Sequence, residues 1–265
     1  IPDANAFDHD AFPDHYRANF RLLRGIIAAA TEARCVLNLT LVRPSMQEAD
    51  LGALLCGGGP MPVLLVTADR QYAPLIELCR RRNLPLVVYS GAQAGEGHGV
   101  DLSAAGPYRS LLAWFFASGG KDAVFLDVFH ATDQDEWKRA AFAETLGALG
   151  RAQRVLSLPD PRALAERLEA CWKERPFDAL VCGNDRLALE AGRTLRELGR
   201  RIPEEIRLLG YDRIPESEGF SPPFSSLDIP FEEIGAALVA QAQWLLLDPS
   251  RGARRATIPA RPIIF

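Results

Sequence analysis

With 265 residues, 48% of them hydrophobic and 24% charged, this chain can bury a substantial core, enough for one large domain or two modest lobes. Its formal charge of −4 and pI near 5.7 argue against a stand-alone grip on a polyanion, because nucleic-acid affinity rests on clustered cations. The five cysteines, Cys35, Cys56, Cys79, Cys171 and Cys182, are odd in number and widely spaced. That pattern fits buried thiols in a reducing cytoplasm better than a disulfide framework or a metal site.

The chain opens on a polar segment, Ala4 to His15, ahead of an amphipathic stretch that predicts a helix over Asp14 to Thr31. Strands are predicted over Val36 to Val42 and Val63 to Thr67. Between them Gly57-Gly58-Gly59 reads as a flexible turn, because no Gly-Lys-Ser/Thr follows to make a phosphate loop. A helix over Tyr72 to Arg82 and a strand over Leu86 to Tyr89 come next, then a helix over Ala104 to Ser118 and a strand over Val124 to Val128. The pattern continues with helix Gln134 to Leu149, strand Arg154 to Leu158, helix Arg162 to Glu174 and strand Leu180 to Cys182. It closes with helix Arg186 to Leu198, strand Ile206 to Leu209, helix Glu232 to Leu247 and a strand near Pro262 to Phe265. Such alternation predicts an α/β fold with parallel sheets flanked by helices on both faces. No apolar stretch of membrane-spanning length interrupts it, and Ile1-Pro2-Asp3 does not open a secretory signal.

The run from Phe177 to Pro215 carries the most information. A short apolar strand ends at Gly183-Asn184-Asp185, which can cap the helix that follows. Leu187, Ala191, Leu195 and Leu198 fall on one face of that helix, and Gly199 stands where a helix stop belongs. A second strand then runs into Gly210-Tyr211-Asp212. This β-α-β unit delivers Asn184 and Asp212 to one edge of a parallel sheet, the edge where open α/β sheets bind ligands.

These residues carry a specific resemblance. The order of Asn184-Asp185, an Ala/Leu-rich helix, Arg196-Glu197-Leu198-Gly199 with Ile202-Pro203-Glu204-Glu205-Ile206, and Leu208-Leu209-Gly210-Tyr211-Asp212 resembles the effector-binding domain of LacI/GalR-family transcriptional regulators. Ser221-Pro222-Pro223-Phe224 through Pro230 continues it. The resemblance is weaker at Leu22 to Ile26, Val100 to Gly106 and Gly119 to Leu126. It implies a periplasmic binding protein type I-like fold, two Rossmann-like lobes joined by hinge strands. The implied amino-terminal lobe is 1–118 plus 229–247, and the carboxyl-terminal lobe is 119–228 plus 248–265. A helix-turn-helix DNA-binding domain is expected to lie outside this chain, since the usual first strand is mostly absent. The segment Ala4 to His15 is longer than the usual connection into the first helix and lies beside the expected cleft.

The resemblance also implies site residues. Asp212 matches the effector-contacting acid of the Gly-Tyr-Asp motif, and Arg213 replaces the second Asp that many relatives carry. Asn184 offers an amide to adjacent hydroxyls or simply caps its helix, with Asp185 expected to serve the cap. Lys138, counted back from Ala141-Phe142, takes the place of an effector-binding Arg, although a lysine lacks the planar fork. Asp101 matches the Asp of a Val-Asp-Asn segment, with Leu102 standing where Asn is frequent. Phe231 matches a position that lines the cleft from the hinge region, or is a core aromatic. Phe7, Phe12 and Tyr16 belong to the unusual first segment, and one of them is a candidate to stack on a ligand.

Carboxylates, amides and rings together suit a small polar ligand such as a sugar. The four histidines are scattered, so neither a metal cluster nor a nucleophile pair assembles, and no catalytic residue or cofactor is expected. The resulting expectation is a cytoplasmic, homodimeric effector-sensing domain that binds a sugar or sugar derivative between its lobes and alters affinity for operator DNA. The alternatives are a periplasmic sugar-binding protein of a transporter and an α/β enzyme acting on a sugar or nucleotide.

Overall fold

In the computed structural model the residues described are 15–38, 49, 52, 63–65, 72–90, 97–128, 133–158, 160–247 and 252–265. The chain starts with α1 (His15–Glu32), β1 (Val63–Leu65), α2 (Ala73–Arg81), β2 (Leu86–Ser90) and β3 (His98–Ser103). It continues with α3 (Ala105–Ala117), β4 (Ala123–Val128), α4 (Asp133–Ala148), β5 (Val155–Leu158), α5 (Leu164–Glu174) and β6 (Ala179–Cys182). Then come α6 (Asp185–Glu197), β7 (Arg207–Asp212), the one-turn α7 (Pro215–Glu218), β8 (Ser225–Asp228), α8 (Phe231–Leu247), β9 (Arg255–Pro259) and β10 (Arg261–Ile263).

These elements form two compact units, each with its own sheet. The amino-terminal unit draws on residues 19–103 and 230–259, and its sheet runs β1-β2-β3-β9, parallel throughout. The helices α1 and α8 of this unit lie very close. A Cβ added at Gly25 would stand 2.3 Å from the Glu232 carbonyl oxygen, and one at Gly235 would stand 2.4 Å from that of Leu22. Only glycine lets the two backbones approach this far. The Glu232 carboxylate fixes the contact by accepting from Arg21 at 2.9–3.2 Å and from Arg24. Burial alone would raise the Glu232 carboxyl, but these two guanidinium groups hold it below the usual range.

The carboxyl-terminal unit draws on residues 104–229 and 260–265, with the first residues of α1, up to Ala18, counted with it. Its sheet runs β10-β8-β7-β6-β4-β5, parallel except for the antiparallel pairing of β10 with β8. The central β6, Ala-Leu-Val-Cys, is buried along its whole length, as a strand covered by helices on both faces must be. Helix α3 buries Tyr108, Leu111, Leu112, Phe115 and Phe116, the 3.6-residue stripe that its sequence spells. On α6 the buried stripe is Leu187, Ala188, Ala191 and Leu195, and Gly199 ends the helix at φ 77°. Each fully buried Leu or Phe contributes about 1.5–3 kcal/mol.

The structure departs from the sequence expectations in three ways. Residues 35–38 form no strand, with Val36 82% exposed, and Asn38 ends the described part of that predicted element. Strands β3, β8 and β9 were not foreseen, because none is a continuous apolar run: β8 buries Ser225 and Ser226, and β9 is only partly covered. The compact units change over at 18/19, 103/104, 229/230 and 259/260, so the expected division at 228/229 falls within one residue of a changeover, while those at 118/119 and 247/248 do not. Helix α3 belongs with the carboxyl-terminal unit because Tyr108 packs edge-on against Trp137 and Tyr211. Strand β9 belongs with the amino-terminal unit because residues 255–259 pair in parallel with β3.

Candidate functional site

In the six-stranded sheet, β8, β7, β6 and β4 are neighbours, so their carboxyl ends lie side by side. That edge carries Asp228 from β8, Tyr211 and Asp212 from β7, Gly183 and Asn184 after β6, and Asp127 from β4. The amino-terminal turns of α3 and α4 add Tyr108, Trp137, Lys138 and Arg139. Ligands of open α/β sheets bind at an edge of this kind.

Lys138 is buried, 5% exposed, and its ammonium donates to the Gly183 carbonyl at 2.7 Å while standing 4.8 Å above the Tyr211 ring centre. A hydrogen bond and a cation–π contact together replace the water it has lost. The charge expected to meet a ligand is thus engaged with the protein's own backbone and ring. Around it Tyr108, Trp137 and Tyr211 form an edge-to-face cluster, with ring centres 5.4, 5.5 and 6.2 Å apart. Burial, with a smaller contribution from Cys182, pushes the Tyr108 phenol above its ordinary range, so it stays neutral and can donate.

Asp127 is 2% exposed and lies against Gly183, where an added Cβ would be 3.6 Å from the Asp127 Cβ. Its Oδ2 accepts from Arg139 at 2.6 and 3.1 Å. Its Oδ1, the Trp137 Nε1 and the Tyr108 hydroxyl are each buried without a hydrogen bond among the described residues. One acceptor and two donors left unsatisfied on one sheet edge is a costly arrangement, and such groups concentrate at functional sites.

Asp212 ends β7 at φ 95°, and Arg213 follows at φ 51°. Two successive non-glycine residues in the left-handed region cost roughly 1–2 kcal/mol each, so the surroundings must enforce the turn. Asp185 holds the chain just after it, by accepting from the Ile214 amide. The expectation that Asp185 serves the cap is corrected: Asn184 is the cap, its Oδ1 accepting from the Leu187 amide at 2.8 Å. Asp185 is fully buried, accepting from the Ser226 hydroxyl at 2.5 Å and the Ile214 amide at 3.2 Å, while the nearby Ser217 hydroxyl donates to the Ile214 carbonyl at 2.6 Å. Burial pushes its carboxyl up to about 7, against the pull of those donors and helped by the nearby Asp212.

Of the residues expected from the sequence, Asp212, Asn184 and Lys138 come together on this edge. Asp101 and Phe231 belong to the amino-terminal unit. Both oxygens of Asp101 are held by Arg255 at 2.6 and 2.7 Å, an arrangement completed by the bond from Arg255 to the Ser90 hydroxyl. Phe231 is buried at the start of α8, with the Arg21 guanidinium 5.5 Å from its ring centre, the packing of a core aromatic. Phe7 and Phe12 lie outside the described residues, as does the Tyr16 side chain. Sequence reasoning missed Tyr108 and Trp137 as parts of the candidate site. A tryptophan inside the polar first turns of α4, directly before Lys138, was the available signal. Among the described residues no group of three or more His, Cys, Asp or Glu is placed to hold a metal ion, and no helix is long and apolar enough to cross a membrane.

A two-unit α/β chain with carboxylates, an amide and a ring cluster on one sheet edge is a ligand-binding domain. Residues 115–264, more than half of the chain, match the model of the periplasmic binding protein-like domain, and the chain belongs to that family as an effector-binding domain of the LacI/GalR type. It is 41% identical over 76 residues to the HTH-type transcriptional repressor PurR of Vibrio vulnificus, covering 29% of this chain and 22% of that protein. It is 25% identical over 258 residues to the HTH-type transcriptional regulator CelR of Thermobifida fusca, covering 92% of this chain and 72% of that protein. The fold is similar to that of a CelR–cellobiose complex, with a TM-score of 0.78 at 20% identity over 94% of this chain and 78% of the other.

Proposed function

We propose that this domain senses a sugar or sugar derivative at the carboxyl edge of its six-stranded sheet and passes the binding on to operator DNA. The observation that carries this reading is that the edge holding Asp212 and Asn184 also carries three buried polar atoms with no hydrogen bond among the described residues: Asp127 Oδ1, Trp137 Nε1 and the Tyr108 hydroxyl. A carboxylate, an amide and aromatic rings suit a molecule that has both hydroxyl groups and an apolar face. A site built to bond hydroxyls rejects analogues that lack them, because its own buried groups are then left unpaired. The cellobiose bound by the CelR relative is a ligand of this class.

In this reading the domain works in the cytoplasm as a homodimer, and DNA is contacted through a helix-turn-helix domain elsewhere in the full protein. Ligand binding changes DNA affinity by favouring one conformation of the dimer, and no covalent step is involved. The test is calorimetry of the chain with cellobiose, ribose and lactose, followed by Asp212→Ala with whichever sugar binds. At least a tenfold loss of affinity, with the ligand-free thermal midpoint near that of the parent, is expected. Unchanged affinity would remove Asp212 from the site, and a panel without binding would count against the sugar class.

A further inference from the structure

Asp185 is a buried acid that no ligand needs to touch. It is the first residue of α6, yet its carboxylate faces the loop that follows β7 and not its own helix end. Its donors come from two separate pieces of chain, the Ile214 amide just after the strained turn and the Ser226 hydroxyl in β8, and Ser217 of α7 braces the first by donating to the Ile214 carbonyl. On the near side of the turn it lies against Gly210, where an added Cβ would come within 2.0 Å of Asp185 Oδ1. One carboxylate therefore grips the chain both two residues before Asp212 and two residues after it. The pair it brackets, Asp212 and Arg213, is held at φ 95° and 51°.

We propose that Asp185 is a positioning residue: held among Gly210, Ile214, Ser217 and Ser226, it fixes the Asp212–Arg213 turn and so sets where Asp212 meets the ligand. The proposal rests on the functional reading above for its consequence, but the grip itself is a property of the ligand-free chain. The titratable groups acting with Asp185 are Asp212 at the end of β7 and Cys182 at the end of β6, whose thiol is pushed up by burial and by Asp185 itself. The charge of Asp185 is least tolerated while the turn is closed over it. Raising the pH from 6 to 8 ionises it and favours opening, which returns the carboxylate to water.

Hydrogen exchange read by mass spectrometry on the ligand-free chain tests the grip. In Asp185→Asn the amide presents a nitrogen donor where an oxygen accepted, so the stretch 209–217 should exchange at least tenfold faster at pH 6 while 188–195 in α6 is unchanged. Ser226→Ala, which keeps the acid and removes one donor, should shift the same stretch in the same direction by less. The protection of the parent over Asp185→Asn should shrink from pH 6 to pH 8. Equal exchange in parent and both variants, or a ratio that does not move with pH, overturns the proposal. So does unchanged affinity of Asp185→Asn for whichever of cellobiose, ribose and lactose the parent binds. If none binds, the sugar reading fails while the exchange result still decides the positioning role.

Discussion

The ammonium of Lys138 stands 4.8 Å from the centre of the Tyr211 ring, above the end of one strand, while it donates at 2.7 Å to Gly183 beyond the end of the next. A single side chain ties β7 to β6 at the edge where the ligand is proposed to bind. Lys138→Met keeps much of the volume but removes the donor to the Gly183 carbonyl. The expected loss is about 2 kcal/mol of ligand-free stability, seen as a fall of roughly 4–8 °C in the thermal midpoint. A midpoint equal to that of the parent, with affinity alone reduced, would return Lys138 to the role the family resemblance implies.

Arg255 grips both oxygens of Asp101 across β3 and β9, and the two side chains are only 17% and 14% exposed. Removing one partner from so sheltered a pair strands the other charge. Arg255→Ala should destabilise the chain by roughly 2–4 kcal/mol, measured as a lower urea midpoint with an unchanged slope. The double variant Arg255→Ala with Asp101→Ala should recover part of that loss. No recovery would mean that the packing of the arginine stem, and not the pairing, is what matters.

Gly25 tests the close approach of α1 to α8. Its replacement by alanine would set a methyl group 2.3 Å from a backbone oxygen that has no flexible end to move aside. Gly25→Ala is expected to cost about 3 kcal/mol through forced separation of the helices, whereas the exposed Gly147, with nothing within 4 Å of an added Cβ, should tolerate alanine or gain from it. Thermal unfolding of the two variants side by side decides the point.

Asp185 also makes overall stability depend on pH. Its carboxyl sits at about 7 in the folded chain, raised chiefly by burial, while an unfolded aspartate ionises near roughly 4. Folding therefore holds a proton that the unfolded chain releases. The stability from this group is full below about pH 4, falls as pH rises toward 7, and is lost above it. Urea unfolding at pH 5 and pH 8 should show the parent losing roughly 2–3 kcal/mol relative to Asp185→Asn over that interval. A difference that does not change with pH would mean the acid is solvated in the folded chain.

Much of the fold was legible because apolar runs and amphipathic stretches repeat their own periods. The β6–α6–β7 unit emerged nearly as expected, since a strand buried on both faces and a helix with one apolar stripe each leave an unambiguous pattern. Strand β8 did not, because two of its three buried positions are serines whose hydroxyls are satisfied by Asp185 and by the Phe265 amide, partners far away in sequence. Asp212 and Asn184 could be placed on one edge from strand order alone. That Lys138 turns inward, or that Asp101 is taken by a residue 154 positions away, depends on contacts that no local spacing records.

The chain passes between its two compact units at 18/19, 103/104, 229/230 and 259/260, so each unit is sewn from separate stretches of gene. A cut at any single codon cannot release one unit whole. An attempt to express the six-stranded sheet alone must carry 104–229 together with the closing strand β10, spliced through a new linker. Exchange of modules between regulators faces the same geometry: the natural seams are four, and a chimera that honours only one of them inherits two mismatched sheets.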